Sequence, residues 1–382
     1  MHQRFFKPYI VLLLVFAVTP LAVSNAQILR QPNDIRDVSW SPEGNNLAIS
    51  YESGSIEIIN VNTGAVTALP AYRSPVSTIA WNPSETLLAI GTSSPDNTFA
   101  IWDVSSGANV YSRNDFGDDI LSVGWSPDGS LIIALSAEGI TAEGGALIYR
   151  LDSQEAQLLS LGAATDVSWS PDNSQFAITS TQSVNIYDAS TIEPIVRYQI
   201  PLEPYRRELG FVGQPSVVRW YPDRTGFAVG MGDGRVFLWR LSEAEPTYTL
   251  TAHEYAGTNR YLAIVNDLKF VDSDTLTAVS GDGTVRTWNI RTGTLIEEQS
   301  VHPNYGADFS PYGGRLALGI ASEAATNQAA VPTQQQFEGI PLQIIVPAPS
   351  PARLASIAAA CNAPQSVTRA LPAQANDAAV AR

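Results

Sequence analysis

The feature of this sequence that most constrains its fold is an aromatic residue, followed at once by a turn, that recurs through most of the chain. Five copies carry Trp with a Pro two residues later, and two degenerate copies carry Phe. These copies begin at Trp40, Trp81, Trp125, Trp169, Trp220, Phe270 and Phe309. A second series is interleaved with the first: Ile59, Trp102, Tyr149, Tyr187, Trp239, Trp288 and Ile345. A nearly fixed step of about 45 residues indicates a repeat architecture rather than unrelated domains.

Within each unit the apolar residues alternate with small polar ones, which predicts strands rather than helices. Val38 and Trp40 show the alternation before the turn, and Leu47 and Ile49 show it afterwards. Pro together with Asp, Asn or Gly between the first two apolar runs is typical of the turn in a β-hairpin. Each unit has three clear strands and a weaker fourth, such as Leu295–Gln299. Four-stranded units of this length predict an all-β fold, a seven-bladed β-propeller of four-stranded antiparallel blades.

These units resemble the WD-repeat family, and specifically its bacterial exported branch, over roughly residues 28–347. Trp102 with Asp103 matches the family dipeptide, and variants of it occur at Trp239-Arg240, Trp288-Asn289 and Tyr187-Asp188. The resemblance implies a structural Asp six residues before the third-strand aromatic, at Asp96, Asp233 and Asp282. It also implies a hydrogen-bonded set of His253, Ser280, Asp282 and Trp288. These residues, with Trp102 and Trp239, are expected to be structural.

The two ends of the chain are expected to lie outside the propeller. Residues 1–26 have a positive start, an apolar run and a small-x-small pattern ending at Ala26, which predicts a secretion signal peptide. An uncleaved membrane anchor is the alternative, but the run is shorter than a spanning helix needs. Residues 27–347 would form the propeller, with residues 27–33 completing its last blade. Residues 348–382 predict a Pro/Ala-rich linker and a partly helical tail.

Charge and composition exclude several functions. The chain of 382 residues has Lys+Arg 22 against Asp+Glu 37, a net charge of −15, and no basic cluster, so nucleic-acid binding is not expected. Its single cysteine, Cys361, excludes an internal disulfide and a Cys-based metal site. No Gly-x-Ser-x-Gly elbow and no calcium loop occurs. The sequence therefore predicts no enzyme, no cofactor, no metal and no stable membrane span after signal removal.

The lengths of the connections indicate which face binds. Extra residues collect around 138–145, 202–216, 253–264 and 321–339, all of which are connections that open on one face of a propeller. Two of these connections are rich in aromatic residues and Arg, the types that dominate interface energetics. The candidate partner-binding residues are Tyr205, Arg206, Arg207, Phe211, Tyr255, Arg260 and Tyr261.

The leading functional prediction is an exported, periplasmic, cell-surface or extracellular scaffold that binds a protein partner without catalysis. The alternative is a small-ligand-binding or enzymatic propeller, TolB-like or hydrolase-type, that uses its central channel. A third possibility is a sensor or lectin-like module at the cell surface. A propeller glycosidase would need two carboxylates on either side of a cleft, and the order of residues alone does not pair them.

Overall fold

The computed structural model describes residues 35–84, 86–136, 145–161, 163–201, 214–251, 264–300, 304–309, 316–320 and 342–345. Within these ranges the chain forms 27 β-strands and no helix. Strands that follow one another in the chain pair antiparallel, in six four-stranded sheets and one three-stranded sheet. We number the four-stranded sheets blades 1 to 6 in chain order.

The strands of the first three blades have closely similar lengths. Blade 1 contains β1 (Ile35–Trp40), β2 (Asn46–Tyr51), β3 (Ile56–Asn60) and β4 (Val66–Leu69). Blade 2 contains β5 (Val76–Trp81), β6 (Leu87–Thr92), β7 (Phe99–Asp103) and β8 (Ala108–Arg113). Blade 3 contains β9 (Ile120–Trp125), β10 (Leu131–Ser136), β11 (Gly145–Arg150) and β12 (Ala156–Ser160).

The later sheets follow the same order until the last one. Blade 4 contains β13 (Ala164–Trp169), β14 (Gln175–Ser180), β15 (Ser183–Asp188) and β16 (Pro194–Gln199). Blade 5 contains β17 (Pro215–Trp220), β18 (Gly226–Met231), β19 (Arg235–Arg240) and β20 (Tyr248–Thr251). Blade 6 contains β21 (Val265–Phe270), β22 (Thr275–Ser280), β23 (Thr284–Asn289) and β24 (Thr294–Ser300). The three-stranded sheet contains β25 (Asn304–Phe309), β26 (Leu316–Ile320) and β27 (Leu342–Ile345).

The prediction of seven four-stranded blades is wrong, because the described residues form six. The seventh repeat unit forms only the three-stranded sheet β25–β26–β27. Pro347, Pro349 and Pro351 follow β27 in the sequence, and proline has no backbone N–H to give a sheet ladder. The predicted linker and partly helical tail, residues 348–382, lie outside the described residues, so this stays a prediction. Residues 27–33, expected to complete the last blade, also lie outside the described residues.

The first strand of each sheet lines a central channel, and the fourth strands lie outermost. Side chains from β1, β5, β9, β13, β17, β21 and β25 surround one cavity of about 490 Å³. The fourth strands are mostly exposed, as β16 and β24 show, whereas β6, β10, β18 and β22 are buried along their whole length. Strands buried on both faces read as near-continuous apolar runs, as Leu131–Ser136 does.

At five of the sheets, the repeated Trp joins its sheet to the one before it. The indole N–H of Trp81 donates to the carbonyl of Ser39 at 3.1 Å, and that of Trp125 donates to Ala80 at 3.0 Å. The same bond recurs from Trp169 to Gly124, from Trp220 to Ser168 and, between the three-stranded sheet and blade 1, from Trp40 to Asp308. The acceptor is always the residue just before the repeat aromatic of the preceding sheet. We call these contacts between first strands the seams of the ring.

Two glycines allow adjacent blades to approach closely. A Cβ on Gly91 of β6 would lie 2.5 Å from a methyl carbon of Ile120 in blade 3. A Cβ on Gly230 of β18 would lie 2.6 Å from Val217 and Val265, which belong to blades 5 and 6. Because real Cβ atoms do not approach so closely, glycine is required at both positions.

Candidate functional site

Four carboxyl groups and one guanidinium face the central channel. Asp37, Asp166 and Asp267 stand three residues before their repeat aromatic, and Asp308 and Arg219 stand one residue before theirs. Side chains one and three residues before the aromatic point the same way in a strand. This arrangement directs all five toward the channel.

Three of these aspartates bridge a seam through the same kind of hydrogen bond. Asp37 accepts the backbone N–H of Ile79 at 2.9 Å, and Asp166 accepts that of Val218 at 2.9 Å. Asp308 accepts the backbone N–H of Trp40 at 2.8 Å. Each bond runs from a carboxyl oxygen of one sheet to the first strand of the next sheet along the chain, with Asp308 joining the last sheet to the first.

Arg219 balances the negative charge of two of the channel aspartates. Its guanidinium lies 2.9 Å from a carboxylate oxygen of Asp166 and 2.7 Å from one of Asp267. Burial acts to lower the pKa of Arg219, but the charges of Asp267 and Asp166 outweigh it and raise that pKa. Arg219 therefore stays charged at every pH at which the protein is folded.

Within the described residues, neither Asp37 nor Asp308 forms an ion pair. Burial raises the pKa of Asp37 to about 7, against the lowering effect of the N–H donors of Ile79 and Val38. Burial and the charge of Asp267 raise the pKa of Asp308 to about 8. Burial also raises the pKa of Asp267, although Arg219 acts against it. The channel wall thus holds carboxyl groups that titrate near neutral pH.

The residues that the WD resemblance marks as structural lie mainly in turns. Asp103 accepts hydrogen bonds from the Ser105 backbone and hydroxyl and from the hydroxyls of Ser106 and Thr86, and these bonds lower its pKa. Its partner in the dipeptide, Trp102, donates its indole N–H to the Tyr72 hydroxyl at 2.8 Å. Asp103 therefore closes the turn between β7 and β8 and ties it to the β5–β6 turn.

The aspartates six residues before the third-strand aromatic lie at the connection between second and third strands. Asp96 accepts the backbone N–H groups of Arg73 and Ser74, at 2.9 and 3.0 Å, and so fixes the connection from blade 1 to blade 2. Asp233 is paired with Arg235 at 2.7 Å. Asp282 accepts from the backbone and hydroxyl of Thr284.

The other structural candidates are buried. Ser280 and Trp288 lie in the core of blade 6, where the Ser280 hydroxyl accepts the backbone N–H of Asp282 at 3.3 Å. Trp239 is fully buried and stacks on Phe227, and its indole N–H has no hydrogen-bond partner within the described part of the chain. His253, which the resemblance places in this network, lies outside the described residues.

The predicted partner-binding residues cannot be placed, since all seven lie outside the described residues: Tyr205, Arg206, Arg207, Phe211, Tyr255, Arg260 and Tyr261. The strands that lead into their segments are described. Residues 202–213 lie between β16 and β17, and residues 252–263 lie between β20 and β21. Both segments therefore start and end on the face where fourth strands lead to the next blade.

Sequence reasoning missed the channel groups, although a signal for them is present. Asp occurs three residues before the aromatic in repeats 1, 4 and 6, where repeats 2 and 3 have Thr78 and Ser122. Aligning the repeats would have shown a polar stripe on the inner strand. Across the described residues, no group of three or more His, Cys, Asp or Glu side chains is placed to hold a metal ion. The same ranges contain no helix that could cross a membrane.

Comparison with known families agrees with this fold. Residues 23–75 match the Anaphase-promoting complex subunit 4 WD40 domain family, and residues 64–103 and 244–289 match the family described as WD domain, G-beta repeat. These matches fall mainly on the first, second and sixth blades, so in these regions the chain is similar to WD-repeat β-propellers.

Several curated proteins are similar to the chain, and two of them are WD-repeat proteins by name. The chain is 25% identical over 61% of its length to the WD40 repeat-containing protein HOS15 of Arabidopsis thaliana, and covers 37% of that protein. It is 24% identical over 67% of its length to the WD repeat-containing protein WDS homolog of the same plant, covering 47% of it. It is 22% identical over 78% of its length to the SIR4-interacting protein SIF2 of Saccharomyces cerevisiae, again covering 47%. The chain thus spans less than half the length of each of these relatives. The bacterial exported branch stays a prediction.

Proposed function

We propose that this protein is an exported, non-catalytic scaffold that binds a protein partner. The binding surface is the long-connection face, defined as the face that carries residues 200–214, 252–264 and 321–341. The opposite face, which carries the turns between first and second and between third and fourth strands, is the short-turn face.

The observation that carries this proposal is the unequal length of the connections on the two faces of a ring whose sheets are joined by hydrogen bonds. On the short-turn face the longest connection is 241–247, between β19 and β20, and most resemble 41–45 between β1 and β2. On the long-connection face, 200–214 joins β16 to β17 and 321–341 joins β26 to β27. Long connections on a scaffold fixed by hydrogen bonds are the usual place for recognition residues.

The relatives support a binding role over catalysis. The yeast relative is by its name a protein that interacts with another protein. WD-repeat propellers generally act as scaffolds. In this protein the channel aspartates accept hydrogen bonds from backbone N–H groups of the neighbouring strands and are not arranged around a nucleophile. Burial of the Tyr and Arg side chains of the two long connections against a partner would supply the binding energy.

The experiment is a comparison of capture by two matched triple variants. Arg206→Ala, Arg207→Ala and Arg260→Ala together remove three charges from the long-connection face. Arg150→Ala, Arg197→Ala and Arg240→Ala remove the same charge from the outer wall and the short-turn face. We expect the first variant to lose a partner that wild type and the second variant both capture, with unchanged melting temperatures. Loss with the second variant alone would contradict the assignment of the face.

Export rests on residues 1–26 and has its own test. Arg4 and Lys7, the apolar run from Ile10 and the pattern ending at Ala26 fit a cleaved signal. Expression of the full chain in a bacterium with secretion machinery should give a product that begins at Gln27 outside the cytoplasm. A product retained in the cytoplasm with its first residues intact would contradict export.

The channel supports a second candidate, a small-ligand site. The cavity of about 490 Å³ falls in the range of small-molecule pockets, and its wall combines Arg219 and carboxyl groups with the exposed side chain of Leu121. A thermal-shift screen of small polar molecules against wild type and Arg219→Lys distinguishes this candidate from the scaffold, since partner capture does not need the channel.

A further inference from the structure

The seams closed by channel aspartates fall into two chemical kinds. In all three, a carboxyl oxygen accepts one backbone N–H of the adjacent first strand. At Asp166 the same oxygen also accepts a hydrogen bond from the Arg219 guanidinium, so a negative charge there is balanced. At Asp37 and Asp308 the donors are neutral: backbone N–H groups and, at Asp37, also the Thr78 hydroxyl.

The charged groups around Asp37 and Asp308 do not compensate them. From β1, Arg36 is near but pairs with Glu52. From β21, Asp267 repels and Lys269 attracts a charge on Asp308. Strands β2, β5, β6 and β26 contribute no charged residue. Arg219 also attracts a charge on Asp308, but its guanidinium pairs directly with Asp166 and Asp267 of the two neighbouring blades.

We propose that the β25–β1 and β1–β5 seams form a pH-sensitive closure of the ring, tight when Asp308 and Asp37 are protonated and loosened when both are ionised. A protonated carboxyl still accepts the backbone N–H through its carbonyl oxygen, so the seam bond persists at low pH. Ionisation places two half-buried negative charges on the channel wall near Asp267, and the repulsion is relieved when the seam opens.

The three-stranded sheet is the element that this closure controls. Among the described residues, Asp308 joins it to blade 1 by two hydrogen bonds: the Trp40 backbone N–H donates to the carboxyl oxygen at 2.8 Å and the Trp40 indole N–H to the backbone carbonyl at 3.2 Å. Ala317 of β26 adds apolar packing against Ile35, Val38 and Trp40. Raised pKa values of Asp308 and Asp37 place the transition at about pH 7 to 8. The Asp166 seam, balanced by Arg219, serves as an internal reference.

Hydrogen exchange at single-residue resolution tests the proposal on the full chain. Protection of the Trp40, Ile79 and Val218 backbone N–H groups would be measured from pH 6 to pH 9, each corrected for its intrinsic exchange rate. We expect protection of Trp40 and Ile79 to fall about tenfold more than that of Val218, the change that one pKa unit of differential ionisation produces. Equal loss at all three positions would overturn the proposal.

Two charge-neutral variants separate a titration effect from general loosening. Asp308→Asn should make Trp40 protection independent of pH while Ile79 keeps its dependence, because the Asn oxygen still accepts the N–H. Asp37→Asn should do the reverse, and either variant decides the matter if the other fails to fold. Asp223→Asn, on the short-turn face, is the control and should change neither profile. A pH dependence of Trp40 that survives Asp308→Asn would also overturn the proposal.

Discussion

Neighbouring sheets are joined in one way at the five seams that contain a repeat tryptophan and in another way at the two seams that contain a repeat phenylalanine. Trp40, Trp81, Trp125, Trp169 and Trp220 each give an indole N–H to the preceding sheet. Phe270 and Phe309 occupy the same position and have no N–H to give. The difference teaches that the repeat aromatic has two separable roles, one in filling the core and one in linking sheets.

The two phenylalanine seams are held by other interactions. Between β17 and β21, Arg219 pairs with Asp267, and the Ser216 hydroxyl donates to the Val265 carbonyl at 2.7 Å. Between blade 6 and the three-stranded sheet, Phe309 packs in an apolar cluster with Val279, Val285 and Leu316. The interactions that join neighbouring sheets therefore change along the chain. They are indole hydrogen bonds at the tryptophan seams, an ion pair between β17 and β21, and apolar packing between blade 6 and the three-stranded sheet.

The largest expected effect comes from removing the ion pair of the first phenylalanine seam. Arg219→Ala leaves Asp166 and Asp267 without their cation in a buried setting, which costs about 3 kcal/mol. Chemical denaturation should show this loss. The matched control is Arg291→Ala, which breaks the exposed pair with Asp274 and should cost less than about 1 kcal/mol. Equal effects would mean that Arg219 does not hold the seam.

The same seam can be broken sterically instead of electrostatically. Gly230→Ala forces a methyl group against Val217 and Val265 and should destabilise the protein by about 2–3 kcal/mol. Gly107→Ala is the control, since its Cβ meets nothing within 4 Å and only its positive φ of 69° is unfavourable, at about 1 kcal/mol. Denaturation midpoints that rank Gly107→Ala as the more damaging change would contradict the close approach of the blades.

The hydrogen-bonding role of the repeat Trp is isolated by comparing two Trp→Phe changes. Trp169→Phe removes a seam bond and leaves the Gly124 carbonyl without its donor. Trp239→Phe removes an N–H that has no partner within the described residues. Both changes lose similar volume, so Trp169→Phe should cost about 1–2 kcal/mol more in the free energy of unfolding. Similar losses for the two variants would show that the seam bonds contribute nothing.

The smallest expected effect is a pH dependence of stability. Asp37 and Asp308 have a higher pKa in the folded chain, about 7 and 8, than the usual value near 3.8, so the folded state holds their protons more tightly. Their contribution is therefore fully present below about pH 4 and is lost as pH rises toward 8.

The readout is the melting temperature of wild type and of Asp308→Asn between pH 5 and pH 9. Because the Asp308 carboxyl is partly exposed to the open channel, only about 1 kcal/mol of the effect of its raised pKa is expected to appear in stability. Wild type should therefore lose roughly 2–4 °C more than the variant. A parallel decline in both proteins would exclude Asp308 as the titrating group.

The sequence predicts the strands of this fold well and its closure poorly. Alternation around Trp40 and Leu47 indicates two of the strands, and the turn at Pro42 separates them, because side-chain period and turn chemistry are local properties. The number of complete blades depends on whether a distant segment supplies a strand beside Leu342–Ile345, and no local pattern reports that. Counting repeat units gave seven, whereas six have four strands.

The candidate site shows the same limit. The role of Asp103 in its turn follows from the residues beside it, Ser105 and Ser106, and could be expected from the dipeptide. The hydrogen bond that the Trp40 backbone N–H donates to Asp308 joins residues at opposite ends of the propeller sequence, so it depends on ring closure. The pKa values of Asp37 and Asp308 depend on burial and on Asp267, which only the assembled channel defines.

The most direct test of the proposed binding face is site-specific photo-crosslinking in cells that naturally contain the protein. A photoreactive phenylalanine would replace Tyr205 or Tyr255 on the long-connection face and, as controls, Ser106 or Thr292 on the short-turn face. The proposed function predicts a covalent adduct with one protein from positions 205 and 255 and none from positions 106 and 292. Adducts from the short-turn positions alone would contradict the long-connection face as the surface that binds.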